Sequence, residues 1–168
     1  FHNMAHQPLI TTAHSAYETP LGNIATDKES LLELDVILKS ELGFGLAPML
    51  RDKEHSLEIE LPFLQRALAG EFKLLPVMIR DQDPVVARGL GSALAQVLKD
   101  KNALLVASTD LSHFYDQKTA NALDAEMLKR IESFQPEQIF EAEHTGKGFA
   151  CGHAAVASWQ TSGEELGR

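Results

Sequence analysis

The sequence holds a single cysteine, Cys151, so no internal disulfide is possible. So low a thiol count fits a reducing compartment, and a cytoplasmic location is the expectation. Positive charge is also in deficit. Fifteen Lys and Arg stand against 24 Asp and Glu, a formal net charge of -9. That balance argues against nucleic acid or an anionic membrane as a partner. No apolar run is long enough to span a bilayer, and no secretory signal pattern is present. CxxC and HExxH spacings are missing, which argues against a self-contained zinc site. A G-x-S-x-G elbow, a Walker loop and a dinucleotide fingerprint are missing too, so the chemistry tied to each has no support. There is no internal repeat, low-complexity segment or interior linker. A chain of 168 residues without such breaks reads as one domain, residues 1–168, large enough to bury a core.

The ends read as cut. The chain starts at Phe1 and stops at Arg168, and an internal fragment of a longer protein is expected. Taken in order, Pro8–Thr12 and Asn23–Thr26 read as short strands around the turn former Thr19-Pro20-Leu21-Gly22. Asp27 caps an expected helix over Lys28–Leu42, with Leu31, Leu34, Leu38 and Leu42 as its buried stripe. Ser56–Ala69 reads as a helix interrupted by Pro62. Phe72–Ile79 reads as a strand, against which Pro76 counts. Asp83–Lys99 is amphipathic, with Val86, Leu90, Leu94 and Val97 on one face and Gly89 and Gly91 as weak points. Asp116 can cap a helix over Gln117–Ile131, Pro136 suits the first turn of another, and Cys151–Thr161 reads as the last. This order of elements predicts an α/β fold, layered α/β/α around a central mixed sheet.

Three stretches carry reactive side chains. Ala103–Phe114 reads as a strand buried on both faces that runs into a polar turn. In open α/β sheets ligands bind beyond the carboxyl ends of strands, which is where Ser108, Asp110 and His113 fall. A positioned histidine is the commonest general acid or base, and Asp110 could orient it or bind a substrate group. The plainer account is that Asp110 and Ser112 only form the turn and cap the next helix. Glu54-His55-Ser56 stands at a helix entrance, where a glutamate also serves simply as a favourable charge. Phe149-Ala150-Cys151-Gly152-His153 places a thiol near a helix start, where partial positive charge favours thiolate. Against that stands an inert buried thiol.

Three motifs in one order resemble a known family. They are EHSLEIELPFLQ (Glu54–Gln65), ASTDLSHF (Ala107–Phe114) and CGH (Cys151–His153), with Thr19-Pro20-Leu21-Gly22 and Asp27 ahead of them. The set is similar to the Memo family, also called AmmeMemoRadiSam system protein B, over nearly the whole chain. The resemblance implies a fold like that of LigB-type class III extradiol dioxygenases. It also implies a metal site of two histidines and one cysteine. Cys151 matches the cysteine, while the histidines belong to HAGY-like and G-P-S-H-like motifs outside this chain. His113 matches a histidine that acts as acid/base in the dioxygenases, and His55 resembles a second active-site histidine. Asp110 would share the catalytic pocket, with Glu54 and Ser108 touching substrate. A thiolate in the ligand set favours copper(I) or alters iron redox behaviour, so iron or copper is the implied cofactor. The implied function is metal-dependent redox or dioxygenase-like chemistry. The alternative is a non-catalytic module that binds a small molecule, peptide or phosphopeptide in the same pocket. Implied partners are radical-SAM and AMMECR-type proteins. A cysteine hydrolase, with Cys151 as nucleophile and His113 or His55 as base, ranks last.

Overall fold

A computed structural model describes residues 7–51 and 56–167. The chain falls into two compact units, Phe1–Asp81 and Gln82–Arg168. Mixed α/β architecture holds, with a mixed sheet and, among the described residues, six helices.

In the first unit the sheet is built on β1 (Leu9–Thr12), not on the segment expected to lie at its centre. It pairs in parallel with β4 (Ala47–Met49) and antiparallel with β5 (Met78–Ile79). Leu9 and Ile10 are buried, while Thr11 donates its hydroxyl to the Pro76 carbonyl at 2.7 Å. Proline has no N–H to give a ladder, and the expected strand over Phe72–Ile79 shrinks to Met78–Ile79 plus a bridge from Leu74 to Thr26. The Thr19–Gly22 turn joins β2 (Ala16–Thr19) to β3 (Gly22–Ala25) as a hairpin. Gly22 sits at φ 117°, where a side chain would be strained. Helix α1 (Lys28–Leu42) is capped by the Asp27 carboxylate on the Ser30 N–H, and it buries Leu31, Leu34 and Leu38. Helix α2 (Ser56–Ala67) holds Pro62 inside it and buries Leu61.

The second unit is helical. Helix α3 (Pro84–Leu98) starts with Asp83 accepting from the Val85 N–H and buries Val86, Leu90, Leu94 and Val97. It crosses α6 (His153–Glu165) closely at Gly91. A Cβ there would lie 2.6 Å from the Thr161 Cβ and 2.7 Å from the Ser158 carbonyl oxygen. The glycine expected to weaken α3 is thus what lets the two helices touch. Helix α4 (Gln117–Glu132) is capped by Asp116 and α5 (Pro136–Thr145) opens on its proline. Met127, Ile139, Ala142, Ala150 and Val156 form a core against which Ala107, Leu111 and Ile131 pack.

The expected central strand does not form. Ala103–Ala107 is not a strand, and it is not buried on both faces. Leu104 is 63% exposed and Val106 48%. An apolar run becomes a strand only beside a segment with free N–H and C=O groups, and no described segment pairs with it. The run has no regular secondary structure and roots itself through Ala107. The last helix also begins at His153 instead of Cys151, leaving Cys151 and Gly152 in the turn before it.

Candidate functional site at the Cys151 turn

Cys151 is exposed, and its sulfur is held by the loop that follows the Ala103–Ala107 run. The Asp110 backbone N–H donates to Sγ at 3.2 Å, and the Thr109 hydroxyl stands 3.8 Å from it. In return the Cys151 N–H donates to the Asp110 carbonyl at 3.0 Å. The Gly152 N–H donates to Thr109 Oγ1 at 2.8 Å. Gly152 permits this approach because a Cβ on it would meet the Ser108 carbonyl oxygen at 2.6 Å. Two segments some 40 residues apart are therefore stitched into one seam with the sulfur at its edge.

Both ends of the turn are braced. Before it, the Ala150 N–H donates to Glu143 Oε1 at 2.6 Å. His153 turns its Nδ1 to the Ala150 carbonyl at 3.1 Å, lies 3.6 Å from Glu143 and meets the Phe140 ring edge-on. After it, α6 opens on Gly152 with no side-chain cap of its own. Gln82 stands there instead. Its Nε2 donates to the Cys151 carbonyl at 2.6 Å and its Oε1 accepts from the Ala154 N–H at 3.2 Å.

Asp110 meets Cys151 through its backbone, and its carboxylate has no hydrogen-bond partner among the described residues. Ser108 lies in the seam through its carbonyl. His113 is exposed on the same loop, with Nδ1 2.8 Å from the Leu111 carbonyl. A carbonyl only accepts, so Nδ1 carries the hydrogen and Nε2 is left as the basic nitrogen. The neighbouring Phe114 is fully exposed at φ 68° and sits edge-on to the His113 ring. Ser112 is a structural anchor, its N–H and hydroxyl both bound to Asp124. Glu54 and His55 lie outside the described residues.

From sequence Thr109 counted only as part of the polar turn, with no role of its own, and Gln82 was not singled out at all. Thr109 stands inside the polar run that drew attention to Asp110, so its signal was present. Gln82 had none, being 69 positions from Cys151. A small cleft of about 120 Å³ lies between Pro84, Arg88, Pro136, Glu137, Phe140, Ala157 and Thr161. It takes in neither Cys151, Asp110 nor His113 and falls short of the few hundred Å³ that small-molecule sites occupy.

Iron or copper needs several donors. Among the described residues no three His, Cys, Asp or Glu side chains gather closely enough to hold an ion. Cys151 offers one donor of suitable softness, and these residues by themselves do not fit a metal.

The family profile described as "Memo-like protein" matches residues 1–168. A protein named "MEMO1 family protein" from Nitrosopumilus maritimus is 31% identical over 159 residues, 95% of this chain and 57% of its own length. One of the same name from Thermotoga neapolitana is 35% identical over 142 residues, 84% of this chain and 50% of its own. Another, from Methanosarcina mazei, is 29% identical over 94% of this chain and 58% of its own length. The chain spans about half the length of the curated relatives it matches. No helix among the described residues is long and apolar enough to cross a membrane.

Proposed function

Because the chain belongs to the Memo-like family, we propose that its Cys151 turn is the thiolate-bearing part of a metal-dependent redox site, related in its chemistry to extradiol dioxygenases. The observation that carries the reading is an exposed sulfur fixed by a backbone N–H, beside a loop that also presents Asp110 and His113. A fixed, accessible thiol suits a metal ligand better than a packing residue. The described residues supply one donor and not a set, so metal binding in this reading is a property of the whole protein. The remaining donors are two histidines from polypeptide beyond this chain, and the ion is iron or copper.

The protein groups have separable tasks. Cys151 would be the thiolate ligand of the ion in the whole protein. His113 exchanges protons at Nε2, its tautomer set by the Leu111 carbonyl. The exposed Asp110 carboxylate contributes negative charge at the rim. Ser108 completes the proposed pocket on this loop, and Glu54 and His55 keep only the substrate-binding and catalytic roles that the family resemblance implies. Metal analysis of a protein of the relatives' full length tests this. Iron or copper should be present and be lost in Cys151→Ala. Unchanged metal content in that variant would sink the reading.

A second reading is favoured by the exposed Phe114 and His113 pair, which offers an aromatic edge and a polar nitrogen without any ion. In it the loop binds a small molecule, peptide or phosphopeptide and no turnover follows. Saturable binding that survives chelation and yields no product would select it. The proposed location is the cytoplasm, and the proposed partners are radical-SAM and AMMECR-type proteins.

A further inference from the structure

We infer that Gln82 is a positioning residue for Cys151, an inference that rests on the reading of Cys151 as the reactive donor. The first turn of a helix leaves backbone N–H groups without partners, and α6 starts on a glycine that has no side chain to satisfy them. Gln82 takes the missing role, accepting from the Ala154 N–H at 3.2 Å. A carboxamide also carries donors at a fixed distance from its oxygen. That donor reaches the Cys151 carbonyl at 2.6 Å. One planar group therefore grips both sides of the Cys151-Gly152-His153-Ala154 turn.

The consequence for the sulfur is geometric. The Cys151 N–H is tied to the Asp110 carbonyl at 3.0 Å, and its C=O is tied to Gln82. With both flanking peptide planes fixed, only rotation about the Cα–Cβ bond is left to the thiol. The Asp110 N–H at 3.2 Å selects one rotamer. A carboxylate at position 82 could still accept from the Ala154 N–H but has nothing to donate to the Cys151 carbonyl. The amide of Gln82 does both at once. The half-buried position of Gln82 keeps water from replacing it freely.

Gln82→Glu separates the two tasks, since it keeps an acceptor for Ala154 and loses the donor to Cys151. In the isotope-labelled chain, the Ala154 amide of this variant should stay protected from hydrogen exchange. The Asp110 amide resonance should move upfield and exchange several-fold faster, as its bond to sulfur loosens. The iodoacetamide alkylation rate of Cys151, at one fixed pH, should change several-fold with it. Gln82→Ala should free both amides. The unfolding transition followed by Trp159 fluorescence identifies any variant that fails to fold, and the retained cap makes Gln82→Glu the variant that folds. An Asp110 amide and an alkylation rate unchanged in Gln82→Glu would overturn the inference. If Cys151→Ala left the metal content of the whole protein intact, the function reading would fall separately, while the coupling of Gln82 to the Asp110 amide would still be decided by the spectra.

Discussion

One methyl group added at Gly152 should pry open the seam that holds Cys151. The backbone there, at φ -104° and ψ 31°, is open to alanine, so strain is not the issue. Space is. The new Cβ would lie 2.6 Å from the Ser108 carbonyl oxygen, 3.0 Å from Thr109 Cβ and 3.1 Å from Thr109 Oγ1. Two of these three atoms belong to the residue whose hydroxyl accepts the Gly152 N–H, and the third is main chain that has no rotamer to escape into. The loops must part by several tenths of an ångström. Three hydrogen bonds cross the same gap and lengthen together: Cys151 N–H to the Asp110 carbonyl, Gly152 N–H to Thr109, and Asp110 N–H to Sγ. Overpacking of this kind costs about 1–3 kcal/mol. Alanine recovers about 0.4–1 kcal/mol by restricting the unfolded chain. Weakening bonds worth about 0.5–1.5 kcal/mol each more than offsets that gain. The net expectation is a loss of about 1–3 kcal/mol. Urea unfolding followed by the single tryptophan, Trp159 in α6, measures it. The Cys151 alkylation rate should change in parallel, since the sulfur leaves its donor. A Gly152→Ala chain as stable as the parent, with an unaltered alkylation rate, would refute the argument that close approach at this glycine builds the site.

Gly91→Ala should cost about 1–3 kcal/mol through contact with Thr161 and Ser158, partly offset by a helix-propensity gain of about 1 kcal/mol, and urea midpoints will show the sign. Met127→Ala, at a fully buried position in the second unit's core, should lose about 2–5 kcal/mol in the same assay. Asp116 caps α4, and its carboxyl is held below the ordinary 3.8, first by the Thr119 hydroxyl and then by the Thr119 N–H. A depressed folded value means the cap stabilises fully above the unfolded value and loses that effect as pH falls through the folded one. Asp116→Ala should therefore lower stability at neutral pH and flatten its fall below about pH 4. A variant whose acid dependence matched the parent would count against the cap.

How much of this was legible depends on range. The helices were, because their signals are local. Asp27, Asp83 and Asp116 each cap the helix that the spacing predicted, the valine–leucine stripe of α3 is buried where expected, and of the α1 stripe Leu31, Leu34 and Leu38 are buried while Leu42 is only partly so. Short strands were less so. The four residues of β2 and three of β4 carry too few positions for alternation to declare itself, and their identity as strands comes from β3 and β1 beside them. Ala103–Ala107 shows the converse error. Its composition is that of a buried strand, yet composition names no partner, and the ladder is set by what lies alongside. Thr109 lay within sight of the motif, whereas Gln82 is joined to Cys151 only by the fold.

The meeting of Asp110 with Cys151 follows from packing more than from the polar contacts that finish it. Ala107 and Leu111 flank the Ser108–Asp110 loop, and both pack on the Met127 and Ile139 core. Ala150 and Val156 flank the Cys151 turn and belong to that same core. Each loop is thus pinned on either side by apolar residues in one cluster, and the distance between them is fixed before any hydrogen bond forms. The hydrogen bonds, individually worth about 0.5–1.5 kcal/mol, then choose an orientation within a gap that burial has already set. On this view the thiol's surroundings should tolerate loss of the Thr109 hydroxyl far better than loss of the Met127 side chain. Thr109→Val keeps both pinned ends and removes one acceptor, so Cys151 should stay beside the Asp110 N–H. Met127→Ala unpins both loops together, and the Asp110 amide should lose its protection there first.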